Sequence, residues 1–177
     1  MEITTHALTS TLVSEVNQLN STSTVTSKLV LRMENGNLMY SIVSVPPYAK
    51  GIRISNADAN SFIESNEKVI FFARVDGKFA GRIKLISWWN KFAYIDELIV
   101  NPGFRGQGVG RALMGRAVEW AKTKRFPGVM LETQNDNVPA CKLYESCGFV
   151  LSGFDQNLYK VTNPDTHEIA LYWYLIF

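Results

Sequence analysis

Cysteine and histidine are nearly absent from this 177-residue chain, which carries two of each. Cys141 and Cys147 lie six residues apart in one predicted helix, so their side chains fall on different faces, too far apart to bridge. They are expected to be reduced and structural. His6 and His167 have no Cys or His at ligand spacing, so no metal site is expected. An excess of one charge is also missing: 18 Lys and Arg against 16 Asp and Glu leave a net charge of +2, and the basic residues are scattered rather than striped. No nucleic acid partner is expected. Long apolar runs are lacking too. The longest, Ile169 to Phe177, is far below the ~20 residues that a spanning helix needs, so no membrane partner is expected. Met1 to His6 show no basic segment leading into an apolar run, and the expected location is cytoplasmic.

What the chain does have is apolar and aromatic content, 46% and 12%, enough for one well-cored domain. Residues 1–27 are rich in Ser and Thr without a sustained period, and read as a weakly structured segment with one short helix around Leu12 to Leu19. Residues 28–177 read as a single domain. Its alternating positions Leu29, Leu31, Met33 and Leu38, Tyr40, Ile42 flank an Asn35-Gly36-Asn37 turn and predict a β-hairpin ended by Pro46 and Pro47. A short helix is expected over Ala57 to Ser65. A second hairpin follows, Val69 to Val75 and Phe79 to Trp88 around Asp76-Gly77, then a strand over Phe92 to Val100. Val109, Ala112, Leu113, Ala117, Trp120 and Ala121 recur at helical steps. A strand is expected over Val129 to Thr133. Asn137 is placed to cap a helix running to Ser146, with Pro139 in its first turn and Gly148 closing it. Strands over Phe149 to Phe154 and Ile169 to Leu175 end the chain. The order of elements predicts an α+β fold with a mixed, mostly antiparallel central sheet flanked by helices.

The most informative stretch is Ile99 to Leu113, IVNPGFRGQGVGRAL, a strand running through a glycine-rich turn into an amphipathic helix. Glycines at 103, 106, 108 and 110 free the backbone there, and the N–H groups at a helix start form an anion cradle. The spacing is neither GxxxxGK[ST] nor GxGxxG. What remains is RxxGxG: Arg105, Gly108 and Gly110.

The loop VNPGFRGQGVGRAL together with NVPACKLYESCGF downstream resembles the GNAT superfamily of N-acetyltransferases. WWNKFAYIDELIV, LETQNDNVPACKLYESCGF and the ending ALYWY are similar to the streptothricin acetyltransferases within it, over roughly the last two thirds of the chain, with a thinner echo in PPYAK at Pro46 to Lys50. The resemblance implies the GNAT fold, acetyl-CoA as co-substrate, and an amine acceptor, the β-lysine amine of streptothricin, whose acetylation inactivates the drug. Two other readings remain open: an acetyltransferase for another small amine, a peptide or a protein, and a non-catalytic acyl-CoA sensor on the same fold.

Acetyl transfer from a thioester to an amine needs a pyrophosphate site, a neutral amine, stabilisation of the oxyanion and a proton for the thiolate. Backbone N–H groups over Arg105, Gly106, Gln107, Gly108, Val109, Gly110, Arg111 and Ala112 are the candidate pyrophosphate holders, with the helix dipole and the Arg105 or Arg111 side chains in support. By resemblance, the backbone of Leu98, Ile99 and Val100 takes the pantetheine arm and the acetyl oxygen. Asp96 and Glu97 are adjacent on that strand and face opposite ways. Asp96, nine residues before the motif arginine, matches the family's carboxylate and is the candidate general base, acting through water, with Glu97 as runner-up. Tyr144, within the family's N…A…Y…GF pattern, is the candidate acid for the thiolate, and Asn137 is a candidate coenzyme contact. Trp89 and Asn90, inside the streptothricin-like stretch, are the candidate acceptor contacts. The aromatic C-terminal strand is a candidate for pairing two subunits as a homodimer.

Overall fold

A computed structural model describes residues 1–13, 22–51, 59–63 and 65–177. In chain order the strands are β1 (Ile3–Ala7), β2 (Thr22–Glu34), β3 (Asn37–Gly51), β4 (Lys68–Val75), β5 (Lys78–Ser87), β6 (Ala93–Val100), β7 (Gly128–Gln134), β8 (Val150–Asp155) and β9 (Ala170–Ile176). The helices are α1 (Val109–Thr123) and α2 (Val138–Ser146). The chain divides into two compact units, residues 1–23, 51–129 and 177 in the first, and 24–50 and 130–176 in the second.

In the first unit the strands run β1-β4-β5-β6, each antiparallel to its neighbour. Asp76 and Gly77, at φ of 47° and 79°, make the expected two-residue turn between β4 and β5. Ile70, Phe71, Phe72 and Ala73 in β4 are all buried. Successive strand residues point to opposite faces, so this part of the sheet is covered on both sides. Helix α1 packs against β1, β4, β5 and β6 through Val109, Leu113, Met114, Ala117 and Ala121, the buried stripe that its helical spacing predicts. A second cluster gathers Leu8, Ala59, Phe62, Ile70 and Phe72.

The N-terminal segment departs from the weak structure expected of residues 1–27. Ile3–Ala7 forms an edge strand on β4, in register from Ile3 opposite Val75 to Ala7 opposite Phe71. The sequence ITTHA has no apolar period; it is a strand because β4 offers it a hydrogen-bonding edge, a tertiary cause. Of the helix expected over 12–19, residues 14–19 lie outside the described residues. Of the helix expected over 57–65, residues 57, 58 and 64 lie outside them, and Ala59–Phe62 forms a 3-10 turn.

In the second unit β2 and β3 form a two-stranded ribbon turned by Asn35 and Gly36 at φ of 49° and 78°. Pro46 and Pro47 do not end it, because β3 continues to Gly51. A two-stranded ribbon has open outer edges to which the missing N–H of a proline can be turned, so proline survives where a central strand would exclude it. Asn135, 5% exposed, ties this unit together. Its carbonyl accepts from the Leu29 amide at 2.8 Å and its Nδ2 donates to the Leu29 carbonyl at 3.1 Å. Its own amide donates to Ile169 at 2.9 Å, and Oδ1 accepts from the Ile169 amide at 3.0 Å. Strand β9 lies between β7 and β8, so neither edge of the aromatic C-terminal strand is open to a second subunit. Cys141 and Cys147 are free thiols, and burial pushes the Cys141 thiol up to about 12.

Candidate active site

The glycine loop is held from inside the first unit. Asn101 continues β6 by donating its amide to Ala80 at 2.9 Å, and Pro102–Phe104 make one 3-10 turn. Gly106 and Gly108 follow with φ of 74° and 90°, a region L side chains rarely adopt, so glycine is required here by backbone conformation rather than by crowding. Gly108 is the N-cap of α1, and its carbonyl accepts the first helical bond from Ala112 at 3.0 Å. No side chain caps this end, and helix geometry leaves the first-turn N–H groups of Val109 and Gly110 without an acceptor inside the helix. The loop therefore suits a phosphate.

Two side chains of the expected cradle brace the loop. The Arg105 guanidinium donates to the carbonyls of Val100 and Thr22, both at 3.1 Å, and Gln107 Nε2 donates to Gly103 at 2.9 Å. The amides at the ends of the expected run are also engaged internally, Arg105 on Pro102 and Ala112 on Gly108. The cradle thus narrows to the backbone from Gly106 to Arg111.

Strand β6 separates the two candidate carboxylates. Lys84 stands opposite Glu97 and Leu85 opposite Ile95, so Asp96 is the extra residue of a β-bulge, a device that re-aims a side chain. Glu97 is buried, with Oε1 accepting from Arg82 Nε at 2.6 Å and Oε2 from Arg82 Nη2 at 3.2 Å. Lys84 Nζ lies 3.7 Å from the same carboxylate. Asp96 is exposed, yet the protein around it desolvates the carboxyl and raises its pKa; Lys84 works against that rise and Glu97 adds to it. Glu97 is thereby committed to an internal ion pair, and Asp96 is the carboxylate presented outward.

Beyond Asp96, Leu98, Ile99 and Val100 pair with Ile83, Arg82 and Gly81 of β5. Sequence reasoning missed Gly81. A Cβ built there would sit 2.4 Å from the Ile99 carbonyl oxygen, so β5 and β6 approach this closely only because the residue is glycine. Between these strands, Trp88 stacks on Tyr94 with centroids 4.6 Å apart, while Trp89 is 81% exposed at the tip. The Asn90 side chain accepts from the Phe92 amide at 3.2 Å and shapes the turn.

In the second unit, α2 carries Asn137 and Tyr144. Asn137 occupies the N-cap position without a side-chain cap bond, contrary to expectation. Its Nδ2 turns back to Thr133 Oγ1 at 3.3 Å. Pro139 fills the second helical position and offers no N–H, which removes one of the two donors that a capping oxygen would accept from. Tyr144 is buried, its ring 6.2 Å from Trp173 and 6.3 Å from Phe149. Sequence reasoning also missed a polar network here. Asp136, buried, accepts from Tyr48 at 2.6 Å and from Lys50 at 2.6 and 2.7 Å, and Lys50 also pairs with Glu168 at 2.9 Å. Tyr159 donates to Glu132. The one available signal was the PPYAK echo, which holds both Tyr48 and Lys50.

Among the described residues no helix is long and apolar enough to cross a membrane. The sequence profile of the Acetyltransferase (GNAT) family matches residues 38–149. Streptothricin acetyltransferase A of Bacillus subtilis (strain 168) is 35% identical over 164 residues, 92% of this chain and 94% of that protein. The streptothricin acetyltransferase of Escherichia coli is 40% identical over 131 residues, 74% of this chain and 72% of that protein. A Bacillus anthracis str. Ames protein described as a streptothricin acetyltransferase, and solved in complex with acetyl coenzyme A, superposes with a TM-score of 0.93 at 36% identity, covering 99% of this chain and 100% of that one. With a family match over more than half its length and relatives aligned almost end to end, the chain belongs to the GNAT family and is an acetyl-CoA-dependent N-acetyltransferase on that family's mixed, mostly antiparallel sheet.

Proposed function

We propose that this enzyme acetylates a primary amine of streptothricin, that of its β-lysine arm, and so inactivates the drug. The observation that carries this reading is the likeness to streptothricin acetyltransferases over nearly the whole chain rather than over the glycine loop alone.

Acetyl-CoA supplies the thioester whose acetyl group moves to the amine. The backbone N–H groups from Gly106 to Arg111 hold its pyrophosphate, where the α1 dipole favours negative charge. The backbone of Leu98, Ile99 and Val100 takes the pantetheine arm and the acetyl oxygen, and Asn137 adds a contact from α2. Asp96, through a water, takes one proton from the substrate ammonium and frees the lone pair that attacks the carbonyl carbon. The raised pKa of Asp96 suits it to this task, since a base works best when its pKa approaches the working pH. The Tyr144 hydroxyl hands a proton to the departing thiolate and is restored by the amine's second proton. One proton thus leaves with the thiol and one passes to solvent when Asp96 reionises. The exposed Trp89 indole and the neighbouring Asn90 offer the acceptor an aromatic and polar wall.

A thiol-release assay with acetyl-CoA tests this against streptothricin, aminoglycosides, polyamines and lysine-containing peptides. Preferred turnover of streptothricin is the expected result. Turnover of polyamines or peptides without streptothricin reassigns the acceptor, and binding of acetyl-CoA with no turnover of any amine makes the chain a sensor.

A further inference from the structure

Lys84 is 1% exposed, and none of the steps above uses it. Its ammonium lies 3.7 Å from Glu97 Oε1, on a carboxylate that Arg82 already grips with two bonds. Two buried cations lean on one carboxylate, and in a medium of low polarity their field reaches past it. The register decides where that field falls. Lys84 pairs with Glu97 and Leu85 with Ile95, so Asp96, the unpaired extra residue of the bulge, directly precedes the residue that Lys84 faces. Glu97 turns inward and is buried, while Asp96 stays exposed.

The charges around Asp96 come from few places. From β5, Lys84 favours the ionised carboxylate, and from its own strand Glu97 opposes it. Burial lowers the Lys84 pKa and Arg82 lowers it further, while Glu97 and Asp96 favour its ammonium. Helix α1 also packs on β6 and carries Arg111, Arg116, Glu119 and Lys122, yet none of these is among the charges that act on Asp96. Lys84 is therefore the one cation, among the described residues, set against the desolvation of that carboxyl.

Resting on the reading of Asp96 as base, we infer that Lys84 is a positioning residue for acetyl transfer: its buried ammonium, held opposite the bulge by Glu97, keeps Asp96 ionised and ready to accept the substrate's proton. Lys84 touches neither donor nor acceptor in this role. It acts through the charge state of Asp96, and Glu97 serves as its tether.

The test is the pH profile of kcat/KM for the parent enzyme, Lys84→Met, Lys84→Arg and Asp96→Asn, with acetyl-CoA affinity measured alongside. Lys84→Met is expected to move the acid limb to higher pH by about 1 unit, because the carboxylate loses its nearby cation, and Lys84→Arg is expected to return the limb to its parental place. A folded Lys84→Met with an unmoved limb overturns the inference. Parental turnover in Asp96→Asn overturns instead the assignment of the base. Should Lys84→Met fail to fold, nitrogen NMR of the Lys84 ammonium decides, comparing the parent with Asp96→Asn, whose substitution is at an exposed side chain. Linkage requires the ammonium to titrate at lower pH once Asp96 loses its charge. An identical midpoint in the two proteins overturns the inference.

Discussion

Arg82 closes on Glu97 with two parallel bonds, Nε to Oε1 at 2.6 Å and Nη2 to Oε2 at 3.2 Å, at a place where neither side chain is more than 6% exposed. Such a pair is costly to bury and costlier to break, since removing one partner leaves the other charge without compensation. It welds β5 to β6 one residue beyond the bulge that presents Asp96.

Glu97→Gln is accordingly expected to cost ~3 kcal/mol or more of stability, seen as a melting temperature lower by roughly 10 °C. Asp96→Asn, at an exposed position, is expected to leave melting almost unchanged while lowering kcat about 100-fold or more. Thermal denaturation and steady-state kinetics on the two variants separate a structural carboxylate from a chemical one. A Glu97→Gln protein that melts like the parent and loses only turnover would reverse the two roles.

The rate has an expected dependence on pH. Desolvation raises the Asp96 pKa, so the base stays protonated to higher pH than an ordinary carboxylate of pKa about 4. The sign follows: kcat/KM rises with pH through that elevated value and reaches a plateau once Asp96 is ionised. An acid limb lying in the ordinary carboxylate range, on a substrate whose amine titrates well above it, would contradict this.

Gly81→Ala is expected to weaken acetyl-CoA binding although residue 81 is far from the glycine loop in sequence. The new Cβ would sit 2.4 Å from the Ile99 carbonyl oxygen and 3.1 Å from Val100 Cα, forcing β6 to shift where its backbone is assigned to the donor. Calorimetric titration of acetyl-CoA checks the loss. Unchanged affinity would mean that the Leu98 to Val100 backbone plays no part in binding.

Gly108→Val places a β-branched residue at a φ of 90°, a strain of about 1–3 kcal/mol that also distorts the first turn of α1. Acetyl-CoA affinity is expected to fall at least tenfold. Calorimetry is again the measure, and retained affinity would remove the loop from the donor site.

Tyr144→Phe keeps the ring that packs near Trp173 and Phe149 and removes only the hydroxyl. Turnover is expected to drop about 100-fold with acetyl-CoA affinity and melting temperature nearly unchanged, the signature of a group that acts in the transition state. A variant with parental kcat would leave Tyr144 as a core aromatic.

The elements legible in the chain are those with a local cause. Asn35-Gly36 and Asp76-Gly77 carry their own positive φ values and turn two hairpins where expected. Val109, Leu113, Ala117 and Ala121 declare the buried stripe of α1, and Gly106 and Gly108 declare the loop before it. Other features depend on partners distant in sequence. β1 needs β4, and β3 runs on through Pro46 and Pro47 beside an open edge. Asn137 yields its capping role to a bond with Thr133. Lys50 finds Asp136 across 86 residues, where no spacing rule applies.

The sequence by itself determined the donor chemistry and the family, because a phosphate cradle is built from consecutive residues whose backbone freedom and helix start are local properties. For the base it favoured Asp96 over the adjacent Glu97, on the family resemblance alone. Only the tertiary structure gave the two carboxylates different surroundings: a one-residue slip of β6 against β5 sets Asp96 outward and brings Glu97 onto Arg82 and Lys84, and register between strands is decided by packing and pairing, which no single stretch of chain contains.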